Sequence, residues 1–303
     1  MHMKWLLILT VSVILLAGCA KVDVSELTPT TPIPIPKIAY TTTSGSIYIM
    51  NTDGSNQRTV TTDEYLKNTV CWSKDNKRLA HLSLGDSQPT LVIVNIEDSE
   101  KTTVDLKIIP EISQKKSYYL GLMSRCWRPS SDRILLSMVA LGINEPDKIY
   151  EIDPKNRVAT LVMTDGFAPV LSPSGDRFVF IRDWSSQILE VGDNTILSED
   201  LTENFCVDWS PNGDKLVCIG SEEYQSIFTI NTDGTEKTEI PNVSLREGDR
   251  IEMASWSPDG EKILFSVFSS SDECFMYTVN IDGTGQLRLL NSTDACVGIY
   301  SNP

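Results

Sequence analysis

A short turn signature recurs five times along the chain, and this recurrence limits the fold more than any other feature. The copies are Trp72-Ser73-Lys74-Asp75-Asn76, Trp127-Arg128-Pro129-Ser130-Ser131, Leu171-Ser172-Pro173-Ser174-Gly175, Trp209-Ser210-Pro211-Asn212-Gly213 and Trp256-Ser257-Pro258-Asp259-Gly260. Their first residues stand 55, 44, 38 and 47 positions apart. Each copy leads into a short apolar run, as in Arg177-Phe178-Val179-Phe180 and Lys262-Ile263-Leu264-Phe265. Strand, tight turn and strand, written at a period of roughly 40–50 residues, is the pattern of a propeller or a similar array.

A second signature completes the unit. Asn51-Thr52-Asp53-Gly54-Ser55, Asn231-Thr232-Asp233-Gly234-Thr235 and Asn280-Ile281-Asp282-Gly283-Thr284 each follow an alternating strand such as Ser46-Ile47-Tyr48-Ile49-Met50. Asp-Gly between such strands predicts a hairpin, because Gly accepts the positive φ the turn requires. The repeat therefore has four strands. At the start, Ile38-Ala39-Tyr40-Thr41 is a second strand without its own first strand; at the end, Cys296 to Ser301 is a lone first strand with Tyr300 in the Trp place. Three orphan strands and one make a sixth blade, at roughly 44 residues per blade. Residues 297–301 should pair as the innermost strand beside residues 38–42, closing the ring with strands from both ends. The expected fold class is all-β, a six-bladed β-propeller of four-stranded blades, with no helical stripe between residues 38 and 303. The recurring Trp72, Trp127, Trp209 and Trp256 are expected to pack between blades rather than to stack a ligand.

This constellation resembles the TolB-like six-bladed propeller repeats, which also form the propeller of dipeptidyl peptidase IV and prolyl oligopeptidase-like proteins. The resemblance covers residues 38–303 and implies the fold. It says little about function. TolB itself has an additional N-terminal domain where this sequence has a short linker, and the peptidases add an α/β-hydrolase domain that has no counterpart here.

The remaining residues concern location. Lys4 precedes an apolar run from Trp5 to Ala17, shorter than a bilayer span of roughly 20 residues and suited to a signal peptide. It ends in Leu16-Ala17-Gly18-Cys19, which resembles the bacterial lipoprotein signal. The expected organisation is a signal peptide over residues 1–18, a lipidated Cys19 with a Thr/Pro-rich linker over residues 19–37, and the propeller over residues 38–303. The prolines at 29, 32, 34 and 36 deny backbone donors and favour an extended spacer. The expected location is the cell envelope, outside the cytoplasm. Six further cysteines suit either disulfides in an exported chain or small buried apolar side chains. Cys206 and Cys218 flank one turn and should face each other, and Cys274 and Cys296 are placed to tie the last complete unit to the closing strand. Cys71 and Cys126 hold equivalent places in neighbouring blades and are expected to lie too far apart to bond.

Catalytic signatures are missing from the sequence. There is no Gly-x-Ser-x-Gly elbow, and the histidines are His2 and His81, too few for the imidazole-rich metal sites of propeller lyases. No Cys-x-x-Cys pair has zinc spacing. The Asp-Gly turns lack the closing Glu of a 12-residue calcium loop. No enzyme activity, cofactor or metal is expected. A net charge of −15 argues against nucleic acid, which calls for clustered Lys and Arg. Both turn signatures fall on one face of the disc, so the variable connections at residues 107–117, 140–147, 242–250 and 269–273 fall on the other. Lys107, Lys115, Lys116, Arg246 and Arg250 bring positive charge to that face of an acidic chain. The reading is a monomeric, membrane-anchored scaffold or adaptor that binds an envelope protein there. The alternative is a carbohydrate- or peptide-binding module, or an enzyme, using the central channel.

Overall fold

Strands that are apolar at consecutive positions, such as Phe178-Val179-Phe180-Ile181, bury both faces, so a sheet built from them needs a neighbour on each side. Stacked blades satisfy this. The computed structural model describes residues 36–302 apart from 63–69, 86–88, 114–117, 142–144, 192–195, 203, 221–222, 272 and 291–294. Over these residues, 24 strands form six four-stranded sheets. Blade 1 holds β1 (Lys37–Thr42), β2 (Ser46–Asn51) and β3 (Arg58–Thr62), completed by the last strand, β24 (Ala295–Tyr300). Blade 2 holds β4 (Cys71–Trp72), β5 (Arg78–Leu84), β6 (Pro89–Asn95) and β7 (Lys101–Asp105). Blade 3 holds β8 (Tyr118–Gly121), β9 (Ile134–Ala140), β10 (Lys148–Asp153) and β11 (Val158–Thr164). Blade 4 holds β12 (Phe167–Leu171), β13 (Arg177–Arg182), β14 (Ser185–Glu190) and β15 (Ile196–Thr202). Blade 5 holds β16 (Phe205–Trp209), β17 (Lys215–Ile219), β18 (Ile227–Asn231) and β19 (Thr238–Glu239). Blade 6 holds β20 (Arg250–Trp256), β21 (Lys262–Phe268), β22 (Cys274–Asn280) and β23 (Leu287–Arg288).

The ring closes as the strand count requires. β24 pairs antiparallel with β1, in the register Ile38↔Tyr300, Ala39↔Ile299, Tyr40↔Gly298 and Thr41↔Val297. Ser301 then donates its N–H to the Lys37 carbonyl. Gly298 packs closely on blade 6: a Cβ there would meet the end of the Met276 side chain at 2.6 Å, which would have to shift.

The repeated residues do repeated work. Trp72, Trp127, Trp209 and Trp256 are all buried, and they join apolar clusters drawn from adjacent blades. Arg78 of blade 2 lies over the Trp127 ring of blade 3 at 4.8 Å, and Arg177 of blade 4 over Trp209 of blade 5 at 5.2 Å. The basic residue after each of these turns therefore clamps the next blade's aromatic. In the turns, the hydroxyls of Ser73, Ser172, Ser210 and Ser257 accept the backbone N–H groups of Arg78, Arg177, Lys215 and Lys262.

Blade 3 departs from the pattern. After β8 the chain leaves the sheet, and Trp127 returns only as an isolated bridge to Ile134. Before β8 come a 3-10 turn at Leu106–Ile108 and the one-turn α1 (Pro110–Ser113), neither of which is expected from periodicity. Glu111 of α1 accepts from Lys148 Nζ at 2.5 Å and from the Tyr150 hydroxyl at 2.9 Å, which seats the turn on β10.

Among the described residues three disulfides are present: Cys71–Cys126, Cys206–Cys218 and Cys274–Cys296. The first corrects the expectation that Cys71 and Cys126 lie too far apart. Cys71 stands on β4 and Cys126 in the segment that follows β8 beside β9, and the two neighbouring blades approach closely enough there to bring the Cα atoms within 6.0 Å. That is an ordinary disulfide spacing. The third bond ties the start of β22 to β24, across the seam of ring closure.

Candidate functional site

The two faces of the disc differ in what their side chains have left to offer. On the turn face, Asp53, Asp233 and Asp282 each accept a backbone N–H two residues on, from Ser55, Thr235 and Thr284. Hydrogen bonds from the same residues hold these three carboxyls below the usual range. The C-terminal Asn302 ties three of the blades together on this side. Asn302 binds the Ser73 carbonyl at 2.9 Å, exchanges hydrogen bonds with Asn76, and accepts from Arg125 at 3.2 Å. Arg125 pairs in turn with the buried Asp208 at 2.6 Å.

The opposite face carries the residues that are not consumed by their own backbone. Lys107 is exposed within the 3-10 turn, its N–H held by the Asp105 side chain. The exposed Arg246 donates its N–H to Asp249, whose carboxylate also receives the Ser270 N–H. Arg250 opens β20, pairs with Glu252 at 2.7 Å and lies over the Phe268 ring. Lys115, Lys116 and Cys19 lie outside the described residues. The connection with Lys107 leads from blade 2 to blade 3, and that with Arg246 and Arg250 from blade 5 to blade 6. The basic residues thus sit on opposite sides of the ring and do not form one patch.

What does converge is aromatic, and the long-loop criterion passed over it. Between β13 and β14 the turn is Asp183-Trp184, and between β17 and β18 the chain passes through Glu223-Tyr224. All four residues have positive φ, between 49° and 61°. Trp184 is 72% exposed and Tyr224 38%. Phe205, at the start of β16, stacks on Tyr224 with centroids 5.6 Å apart and meets Trp184 edge-on at 6.3 Å. Beneath the rings a cavity of about 380 Å³ is lined by Phe205, Val207, Tyr224, Ile251, Arg250 and Glu252. Across the axis, burial and then the charge of Glu252 raise the pKa of Tyr119 on β8. A sequence signal for this group exists: a turn joining two apolar strands with an aromatic where Gly or Asn would be easiest.

The other candidates stay structural. His81 is buried within β5. Among the described residues, no group of three or more His, Cys, Asp or Glu converges as metal ligands. A family model for the TolB beta propeller domain matches residues 27–296. The chain belongs to the TolB β-propeller family. Among solved structures it is similar to TolB from Acinetobacter baumannii, with a TM-score of 0.69 at 18% identity, over 88% of this chain and 67% of that one. A TolB-type protein from Agrobacterium tumefaciens gives 0.60 at 17% identity, over 86% and 90%. A chain of a nidogen–laminin complex gives 0.60 at 9% identity, over 88% and 98%. No curated protein matches the sequence. At these identities the TolB-like architecture is what is shared.

Proposed function

We propose that this propeller is a lipid-anchored scaffold of the cell envelope that binds a protein partner through its loop face. The observation that carries the reading is the contrast between faces: turn side chains bonded to their own backbone on one, exposed aromatic and basic side chains on the other. Variable loops on a rigid scaffold are the usual place for recognition. The fold is also found in a nidogen–laminin complex, which supports a protein as the partner. The signal-like residues 1–18 and Cys19 support export and lipidation, and a modified Cys19 would hold the domain at the membrane through the Pro-rich linker.

The test is capture of a partner from solubilised native envelope. One variant carries Lys115→Glu, Lys116→Glu and Arg246→Glu; another carries Ser55→Ala, Thr235→Ala and Thr284→Ala. The reading expects the first to lose an acidic partner, with capture weakening as salt rises, and the second to keep it. Loss by the second alone reverses the face.

A further inference from the structure

Where blades 4, 5 and 6 meet on the loop face, two aromatic side chains are held out in backbone conformations that their residue types disfavour. Asp183, Trp184, Glu223 and Tyr224 are all left-handed, a conformation that Asp tolerates and that Trp, Glu and Tyr disfavour. Other turns of the chain also place residues such as Ser99 and Arg157 at positive φ; what sets these two apart is that each projects an aromatic side chain onto the same third ring, Phe205. Neighbouring chain holds the second of these segments in place. The Ile251 N–H of blade 6 donates to the Tyr224 carbonyl at 2.7 Å, and the Gln225 side chain donates to the Asp249 carbonyl at 3.1 Å. The Tyr224 ring, stacked on Phe205, is therefore placed before any ligand arrives, which lowers the entropic cost of binding.

The groups around the rings define the ligand's chemistry. The cavity beneath them has apolar walls and one polar edge, Arg250 beside Glu252, whose charges cancel. On either side of Tyr224 in the chain, Glu223 and Gln225 line a second, open hollow with Ser226 and Glu239. None of these four is cationic. A ligand here meets flat aromatic faces between rows of hydrogen-bonding groups, and among the described lining residues the cation, Arg250, is paired with Glu252 and not free to hold an anion. For a cationic ligand, the cavity's carboxylate is already paired with Arg250, and Glu223 and Glu239 stand exposed at the rim, where solvent screens their attraction. A neutral sugar meets every condition. Its C–H face lies on an aromatic ring, and its hydroxyls donate to Glu252, Glu223 and Glu239 and accept from Arg250 and Gln225.

We propose that the Trp184–Phe205–Tyr224 surface, with Arg250 and Glu252, is a binding site for a neutral oligosaccharide. It shares Arg250 with the 242–250 connection of the partner-binding face; the partner test reverses Lys115, Lys116 and Arg246 and leaves Arg250, Trp184 and Tyr224 in place, so the two assignments fail on different variants. The experiment applies the full-length protein, in a detergent without a sugar headgroup, to an array of neutral, amino and acidic oligosaccharides. Neutral members should be retained, with a change in tryptophan emission on binding. A Trp184→Ala, Tyr224→Ala variant should weaken that retention by roughly tenfold or more, the loss expected of two ring contacts. Tyr224→Phe, which keeps the ring, should stay within about threefold. No retention of any neutral member, retention that survives the double substitution, or preference for acidic or cationic ligands overturns the site. Unchanged unfolding midpoints for the variants separate lost binding from lost folding.

Discussion

Asp208 gathers donors from three blades near the axis. Its two oxygens accept from Arg125 Nε at 2.6 Å, Ser255 Oγ at 3.0 Å, and the Trp209 and Trp256 N–H groups at 2.9 Å. Removing one partner of a buried ion pair leaves the other charge uncompensated, at about 3–5 kcal/mol. Asp208→Ala should lower unfolding free energy by about that much, read from urea titrations; an unchanged midpoint contradicts the assignment. Titration adds a second residue-scale expectation. Hydrogen bonds from Arg78 and Ser174 hold Asp132 and Asp176 below the ordinary carboxyl range. Depressed carboxyls contribute stability that is present above the unfolded value near ~4 and lost as pH falls through the folded one. Tyr300 is shifted the other way, by burial and then by the charge of Asp259. Its contribution is intact below ~10 and lost as pH rises beyond that value. Stability should therefore be level between pH ~5 and ~9 and fall on both sides. Asp132→Asn with Asp176→Asn should flatten the acid limb alone, in denaturant titrations across pH.

At the scale of the element, the first turns of successive blades lean on one another. A Cβ on Gly175 would meet Pro129 Cδ of the preceding turn at 2.5 Å; on Gly213 it would meet Pro173 Cδ at 3.5 Å. Both glycines have positive φ, 77° and 75°. Alanine at either should cost about 1 kcal/mol through the backbone, and at Gly175 a further ~1–3 kcal/mol for the clash. Equal losses at the two positions in thermal unfolding would remove the turn-on-turn contact from the account. These turns were legible in the sequence because their chemistry is local: a Ser hydroxyl reaching five residues on, an Asp reaching two, a Gly where φ turns positive. The closing strand was legible too, since an incomplete unit at each end has one way to be completed. The Cys71–Cys126 bond was not, because it depends on how closely two neighbouring blades approach. The aromatic site was hidden for a related reason. Phe205, Tyr224 and Glu252 come from a strand start, a turn and the next blade, with no spacing to join them, and the left-handed φ of Trp184 has no Gly to announce it. Long, charged loops are the more visible feature of the sequence, and of the described basic residues on them Arg250 alone lines the cavity.

Across the whole molecule, stability depends on a ring that is sealed by its last strand. Without residues 291–303, blade 1 loses β24, and β1 is left with an unpaired inner edge, a hazard for association. The truncated chain should self-associate or melt earlier. A monomer with unchanged melting would break the six-blade closure. The sealed ring gives the two faces their separate characters: one made of self-satisfied turns and Asn302, the other bearing Trp184, Tyr224 and the basic loops. The most direct test of that division is a photo-crosslinking residue placed at Arg246 or at Thr284 in cells, followed by recovery of covalent adducts from the envelope. The account predicts a partner adduct from position 246 and none from position 284; an adduct from position 284 alone would contradict it.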